Sequence, residues 1–241
     1  MNHERVTWYS PAVERHMSIR VFGHAGARVL VFPTTWGDEN EWPNRHMFRW
    51  GVLGEHVEKG WIQVYCLDAN HNQSWYDKSV HPGHRAWMHL KYDRYLRDEV
   101  IPFTRWKNHN PYAMAVGTSF GAYHAMAFGL RNPWLVDRIV GLSGMYDITG
   151  MTGGYYDQNV HACNPPGLVA HEGNAGVIHR WQQLDIIMAI GRDDPNIQDN
   201  RDFSGVLWGK GVGNALREWN GWAHDWPYWE RMIRIYINGT D

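Results

Sequence analysis

Gly117-Thr118-Ser119-Phe120-Gly121 is the pentapeptide in this sequence whose residue types and spacing best suit covalent chemistry. It matches G-x-S-x-G and stands between an apolar run, YAMAV, and a small-residue segment that begins at Gly121. A serine on a tight strand-to-helix turn presents its hydroxyl at the sheet edge, and side chains at the flanking positions would collide with neighbouring elements, which glycine avoids. The helix that follows aims its positive end and the Phe120 amide at a developing oxyanion. Ser119 is the expected nucleophile; the plain alternative is a glycine-lined turn carrying an inert serine.

A serine hydroxyl is a weak nucleophile near neutral pH and needs a base, itself oriented by an acid. On a strand–turn–helix nucleophile of this kind the partners follow in the order Ser, acid, His. Gly191-Arg192-Asp193-Asp194-Pro195 places acids just beyond the apolar run LDIIMAIG, where open α/β sheets carry their functional groups. Asp194 is the preferred acid and Asp193 its rival; either could instead cap a helix. His224, in the loop Gly221-Trp222-Ala223-His224-Asp225-Trp226, is the expected base, ahead of His161, His171 and His179, and its neighbour Asp225 is read as structural. An imidazole base of ordinary acidity implies activity that falls below roughly pH 6.5. The second oxyanion amide is expected within Thr34-Thr35-Trp36-Gly37, with Thr35 ahead of Thr34. Trp36, Tyr155 and Tyr156 are candidates for an acyl or aryl pocket.

The elements that must position these groups follow from the apolar pattern. Val6 to Tyr9, SIRVFG from Ser18 and RVLVFP from Arg28 read as two or three strands, and WIQVYCL from Trp61 reads as a strand covered on both faces. After Pro43, the spacing of Met47, Trp50, Leu53 and Val57 predicts a helix ending at Gly60. A longer helix is expected from about Arg85, ended or kinked by Pro102. YAMAVGTS, DRIVGLS from Asp137, LDIIMAIG from Leu184 and ALREW supply the later strands. Trp229, Met232, Ile233, Tyr236 and Ile237 form one stripe of a helix that starts at Pro227. Strands alternating with helices imply an α/β fold: a mainly parallel central sheet with helices on both faces. Residues 145–183 lack a clear period and are expected to form a lid or pocket wall on a single domain spanning 1–241.

Composition narrows the classes of function. A chain of 241 residues with 44% hydrophobic and 20% charged residues can bury one substantial core. Its formal charge of −2 provides no broad field for nucleic acid or an anionic membrane, so a neutral small molecule is the expected partner, and a homo-oligomer is compatible with this composition. The opening MNHERVTWYS has neither a secretory h-region nor a membrane span, and with two cysteines, Cys66 and Cys163, read as packing thiols, a cytoplasmic location is expected. No metal motif or organic cofactor is called for. The 15 tryptophans could form a sugar-binding surface, but carbohydrate-binding modules are usually small all-β domains and this chain alternates.

VLVFPTTWGDENEW, GTSFGAYHAMAFGLRNP, LSGMYD, GRDDP and GWAHDWPYW together resemble the oxyanion loop, nucleophile elbow, following strand, acid loop and histidine loop of the esterase D-like branch of the α/β-hydrolases. That branch includes S-formylglutathione hydrolases, feruloyl esterases and mycolyltransferases. The resemblance spans most of the chain and implies a cofactor-free serine esterase with a Ser119–His224–Asp194 triad. It departs at Thr34, Thr35 and Trp36, where relatives often carry a Gly-rich or Ser-Gly turn, and no glutathione site or mycolyl groove is marked. Acyl transfer to an alcohol by the same triad and a non-catalytic binding protein are the alternatives.

Overall fold

In the computed structural model, which describes residues 1–237, eight strands form a single sheet. They are β1 (His3–Ser10), β2 (Arg15–Phe22), β3 (Ala27–Phe32), β4 (Ile62–Leu67), β5 (Ala113–Thr118), β6 (Arg138–Leu142), β7 (Asp185–Gly191) and β8 (Ala215–Trp219). Their spatial order is β1-β2-β4-β3-β5-β6-β7-β8. β1 and β2 run antiparallel to their neighbours, and β3 to β8 are parallel. The helices are α1 (Glu41–Asn44), α2 (Gly54–Glu58), α3 (Pro82–Tyr95), α4 (Ile101–Lys107), α5 (Phe120–Arg131), α6 (Gln158–Cys163), α7 (Pro165–His171), α8 (Ala175–Trp181), α9 (Ile197–Gly209) and α10 (Trp226–Tyr236).

The central strands are mostly apolar because both faces are covered, and β4 and β5 are buried at every residue. Alternation within β3 divides the core. Leu30 and Phe32 join Tyr92, Met126 and Phe128 of α3 and α5 on one face, whereas Val29 and Val31 join Trp42, Val57 and the α10 residues Trp229, Met232 and Ile233 on the other. The stripe expected on α10 is the buried one, including Tyr236 and Ile237.

One expectation is corrected and a second is narrowed. The continuous helix expected after Pro43 is instead α1 and α2 separated by turns. A Cβ at Gly51 would lie 1.9 Å from the His46 carbonyl oxygen, and His46 has φ +56°, so the chain folds back on itself there. Met47, Leu53 and Val57 are buried as their spacing implied, but Trp50 is 89% exposed. Pro102 does not end the long helix. It occupies the first turn of α4, and a π-helical turn at Leu96–Val100 shifts the hydrogen-bond register just ahead of it.

The stretch 145–183 is structured. Asp147, Asp157 and Asn174 cap a 3₁₀ turn (Ile148–Met151), α6 and α8 respectively through their side chains. Ile148, Val160 and Cys163 pack into one apolar cluster with Trp75, Phe120 and Tyr123. Both cysteines are buried and unpaired.

Candidate active site

Ser119 sits between β5 and α5 with φ 53° and ψ −123°. A non-glycine residue held there carries backbone strain, of order 1–3 kcal/mol. Its amide is anchored to the Leu142 carbonyl at 2.7 Å. The flanking glycines have the steric cause expected of them: a Cβ at Gly117 would lie 2.0 Å from the Gly121 carbonyl oxygen, and one at Gly121 would lie 2.3 Å from that of Phe32. Ser119 is partly exposed, while Phe120 is buried beneath it.

His224 Nε2 lies 3.0 Å from Ser119 Oγ, and His224 Nδ1 lies 2.6 Å from Asp194 Oδ2. The other Asp194 oxygen accepts from the Asn196 amide at 2.9 Å, and the Asp194 residue is 1% exposed. Asp193 is exposed and its amide donates to the Gly221 carbonyl, so of the two acids Asp194 is the one that meets the imidazole. The histidine loop is held from below: Ser143 Oγ donates to the Ala223 carbonyl at 2.9 Å and accepts from Trp229 Nε1 at 3.0 Å. Trp222, half exposed, stacks on the His224 ring at 5.5 Å. Asp225 caps α10 through Trp226 N. The rival histidines lie elsewhere, His161 against Tyr156, His171 against the Gly167 carbonyl and His179 against Gln183.

Thr34 and Thr35, both in the turn after β3, face different partners. The Thr34 amide donates to Glu41 Oε2 at 2.8 Å, and the Thr34 hydroxyl donates to Glu41 Oε1, so the amide of Thr34 is already committed. Burial pushes the Glu41 carboxyl above its ordinary pKa, and the two Thr34 hydrogen bonds partly offset that. Among the described residues, no acceptor is present for the amides of Thr35 and Phe120. An oxyanion beside Ser119 could use those two N–H groups together with the N-terminal end of α5. Thr35 Oγ1 is hydrogen-bonded to Tyr76 Oη at 3.0 Å, and Trp36, 65% exposed, packs on the Tyr76 ring at 4.8 Å.

Tyr155 packs against the apolar cluster that contains Phe120. It also packs on His81 and donates to Asp157, while Tyr156 is hydrogen-bonded to His161. No sequence pattern gives a role to Tyr76 or Glu41, nor to three buried imidazoles: His71, His89 and His124. His124 lies 5.2 Å from His71 and 5.1 Å from His89, ring to ring, directly beside Phe120. Desolvation holds all three neutral, lowering His71 to about 4 and His89 to about 3, and lowering His124 well below its ordinary value. No group of three or more His, Cys, Asp or Glu suited to a metal ion occurs among the described residues.

The strand order, the elbow at Ser119 and the loops bearing Asp194 and His224 define the α/β-hydrolase fold. Several solved structures share it over nearly the whole chain. A ferulic acid esterase superposes with a TM-score of 0.77 at 17% identity, covering 98% of this chain and 96% of its own. An S-formylglutathione hydrolase from Agrobacterium tumefaciens gives 0.75 at 12% identity, covering 98% and 93%. Among curated sequences, an acetyl esterase of Caldicellulosiruptor saccharolyticus is 26% identical over 162 residues, 59% of this chain and 60% of the relative's length. No family profile matches. No helix among the described residues is long and apolar enough to cross a membrane.

Proposed function

We propose that the protein is a serine carboxylesterase acting on small acyl or aryl esters through Ser119, His224 and Asp194. The observation that carries this reading is the continuous chain of contacts from Ser119 Oγ to His224 Nε2 and from His224 Nδ1 to Asp194, at 3.0 Å and 2.6 Å. The acetyl esterase and ferulic acid esterase likenesses point the same way.

His224 takes the Ser119 proton at Nε2 as the hydroxyl oxygen attacks the ester carbonyl. Asp194 accepts the Nδ1 hydrogen bond, fixing the tautomer and stabilising the imidazolium. The Thr35 and Phe120 amides bind the tetrahedral oxyanion. His224 then returns the proton to the leaving alkoxide, an acyl-Ser119 intermediate remains, and water attacks it by the reverse sequence of proton transfers. Exposed indoles stand on two of the site's loops, Trp36 on the oxyanion loop and Trp222 against His224 on the histidine loop. A cytoplasmic setting would keep the buried thiols Cys66 and Cys163 reduced.

The reading is tested with p-nitrophenyl acetate. Wild type should give a burst of nitrophenolate followed by steady turnover, and Ser119→Ala should reduce kcat by roughly 10⁶-fold while the fold persists. Turnover retained in Ser119→Ala would overturn it. Adding an alcohol acceptor separates hydrolysis from acyl transfer: free acid as the dominant product is the expected result.

A further inference from the structure

Thr35 and Phe120, whose amides the proposed reading assigns to the oxyanion, lie on different strands' ends and share no backbone hydrogen bond that sets their spacing. One side chain touches both. Tyr76 follows β4 in the segment 71–78, and its hydroxyl is hydrogen-bonded to Thr35 Oγ1 at 3.0 Å while its ring meets Phe120 edge-on at 5.1 Å and 75°. The ring is backed by His71, at 6.0 Å from Tyr76 and 5.5 Å from Phe120, and the Tyr76 amide donates to the His71 carbonyl at 3.2 Å. Tyr76 is thus held rigidly against the buried cluster, and burial keeps its phenol protonated well into the alkaline range.

Thr35 itself has few other restraints. Glu41 grips Thr34, and the Gly37 amide closes the turn onto the Thr34 carbonyl at 3.0 Å, with Trp36 at φ +63°. These contacts hold the Thr34 side of the turn, including the Thr34–Thr35 peptide at its own carbonyl, and the Thr35 side chain gives that peptide its second anchor. An oxyanion hole acts through pre-set donors, and an ångström of misplacement there lowers the rate without changing the ground-state affinity much.

We propose that Tyr76 is a positioning residue that sets the distance and aim of the Thr35 amide relative to the Phe120 amide, acting through the Thr35 hydroxyl rather than on the substrate. This rests on the esterase reading above. Removing a whole oxyanion donor costs about 10²–10³-fold in kcat, so releasing one donor from its support should cost less, roughly tenfold.

The test uses Tyr76→Phe, which keeps the ring and removes the hydroxyl, Thr35→Val, which keeps the shape of the other partner, the double variant, and Thr35→Ser as the conservative rescue. Each single loss should lower kcat for p-nitrophenyl acetate roughly tenfold, with KM within about threefold of wild type. The double variant should be no worse than either single, and Thr35→Ser should restore most of the rate. Inhibition by an aryl boronic acid, which forms a tetrahedral anion on the serine, should weaken in step with kcat. Rates within twofold of wild type in Tyr76→Phe would overturn the proposal. So would a raised KM at constant kcat, multiplicative losses in the double variant, or an effect of Tyr76→Phe with none in Thr35→Val, which would place the phenol on the substrate itself. Failure of the esterase reading is recognised separately, by activity that survives Ser119→Ala.

Discussion

Gly191 and Trp222 meet backbone to backbone: a Cβ built on Gly191 would lie 2.1 Å from the Trp222 carbonyl oxygen. Gly191 ends β7 three residues before Asp194, and Trp222 lies two residues before His224, so this approach brings the acid loop and the histidine loop together. The Arg192 amide donates to the Trp219 carbonyl at 2.8 Å and the Asp193 amide to the Gly221 carbonyl at 3.1 Å, stitching the two loops along the same seam. The short contact between Asp194 and His224 is a consequence of this packing as much as of charge.

Gly191→Ala should therefore force the loops apart and cost activity out of proportion to stability. A shift of about 1 Å at the triad corresponds to a loss of roughly 10²-fold in kcat. Gly205→Ala, at a position in α9 where an added Cβ meets no atom within 4 Å, is the control, and should leave kcat unchanged and raise stability by up to about 1 kcal/mol. Kinetics and thermal melts of both variants check this; equal activity in the two would show that the close approach does not position the triad.

Asp194→Asn should lower kcat by about 10⁴-fold, because an amide can present its N–H to Nδ1 and favour the wrong imidazole tautomer. Asp193→Asn, a change at an exposed side chain, should alter it by no more than roughly twofold. Steady-state rates for the pair decide the assignment, and the reverse ranking would move the acid role to Asp193.

The succession of strands along the chain and the Ser119 elbow are legible in the sequence for physical reasons. β4 to β7 are covered on both faces, so each appears as a largely apolar run, and Gly117 and Gly121 are needed because backbone atoms occupy the space a side chain would take. Asp194 could not be separated from Asp193 by spacing, since what distinguishes them is burial and a partner thirty positions away. α1 and α2 were hidden by a helical spacing that includes the exposed Trp50, and α6 to α8 by their brevity, six or seven residues each being too short to reveal a period. Tyr76, Glu41 and the imidazoles of His71, His89 and His124 owe their importance to neighbours distant in sequence, which no local pattern records.

The buried imidazoles give the fold an acid weakness. Their pKa values in the folded state lie below the 6.5 of a free imidazole, at about 4 for His71 and about 3 for His89 and well below normal for His124. Between pH 6.5 and 4 the unfolded chain binds protons that the folded chain does not, so stability is full above pH 6.5 and is lost as the pH falls through this window. Each histidine contributes a slope of up to about 1.4 kcal/mol per pH unit. Denaturant midpoints should fall steeply from pH 7 to pH 5.5, above the range in which free carboxylates titrate. A flat profile across that interval would mean that protonated imidazoles are accommodated.

The most direct test of the central claim is labelling with a fluorophosphonate, read by intact mass and by peptide mapping. A serine activated by His224 should accept one phosphonyl group on Ser119 in the wild type, slowly or not at all in a His224→Ala variant, and none in Ser119→Ala. A phosphonyl adduct that persists in Ser119→Ala, or that maps to another residue in the wild type, would contradict the assignment of Ser119 as the nucleophile.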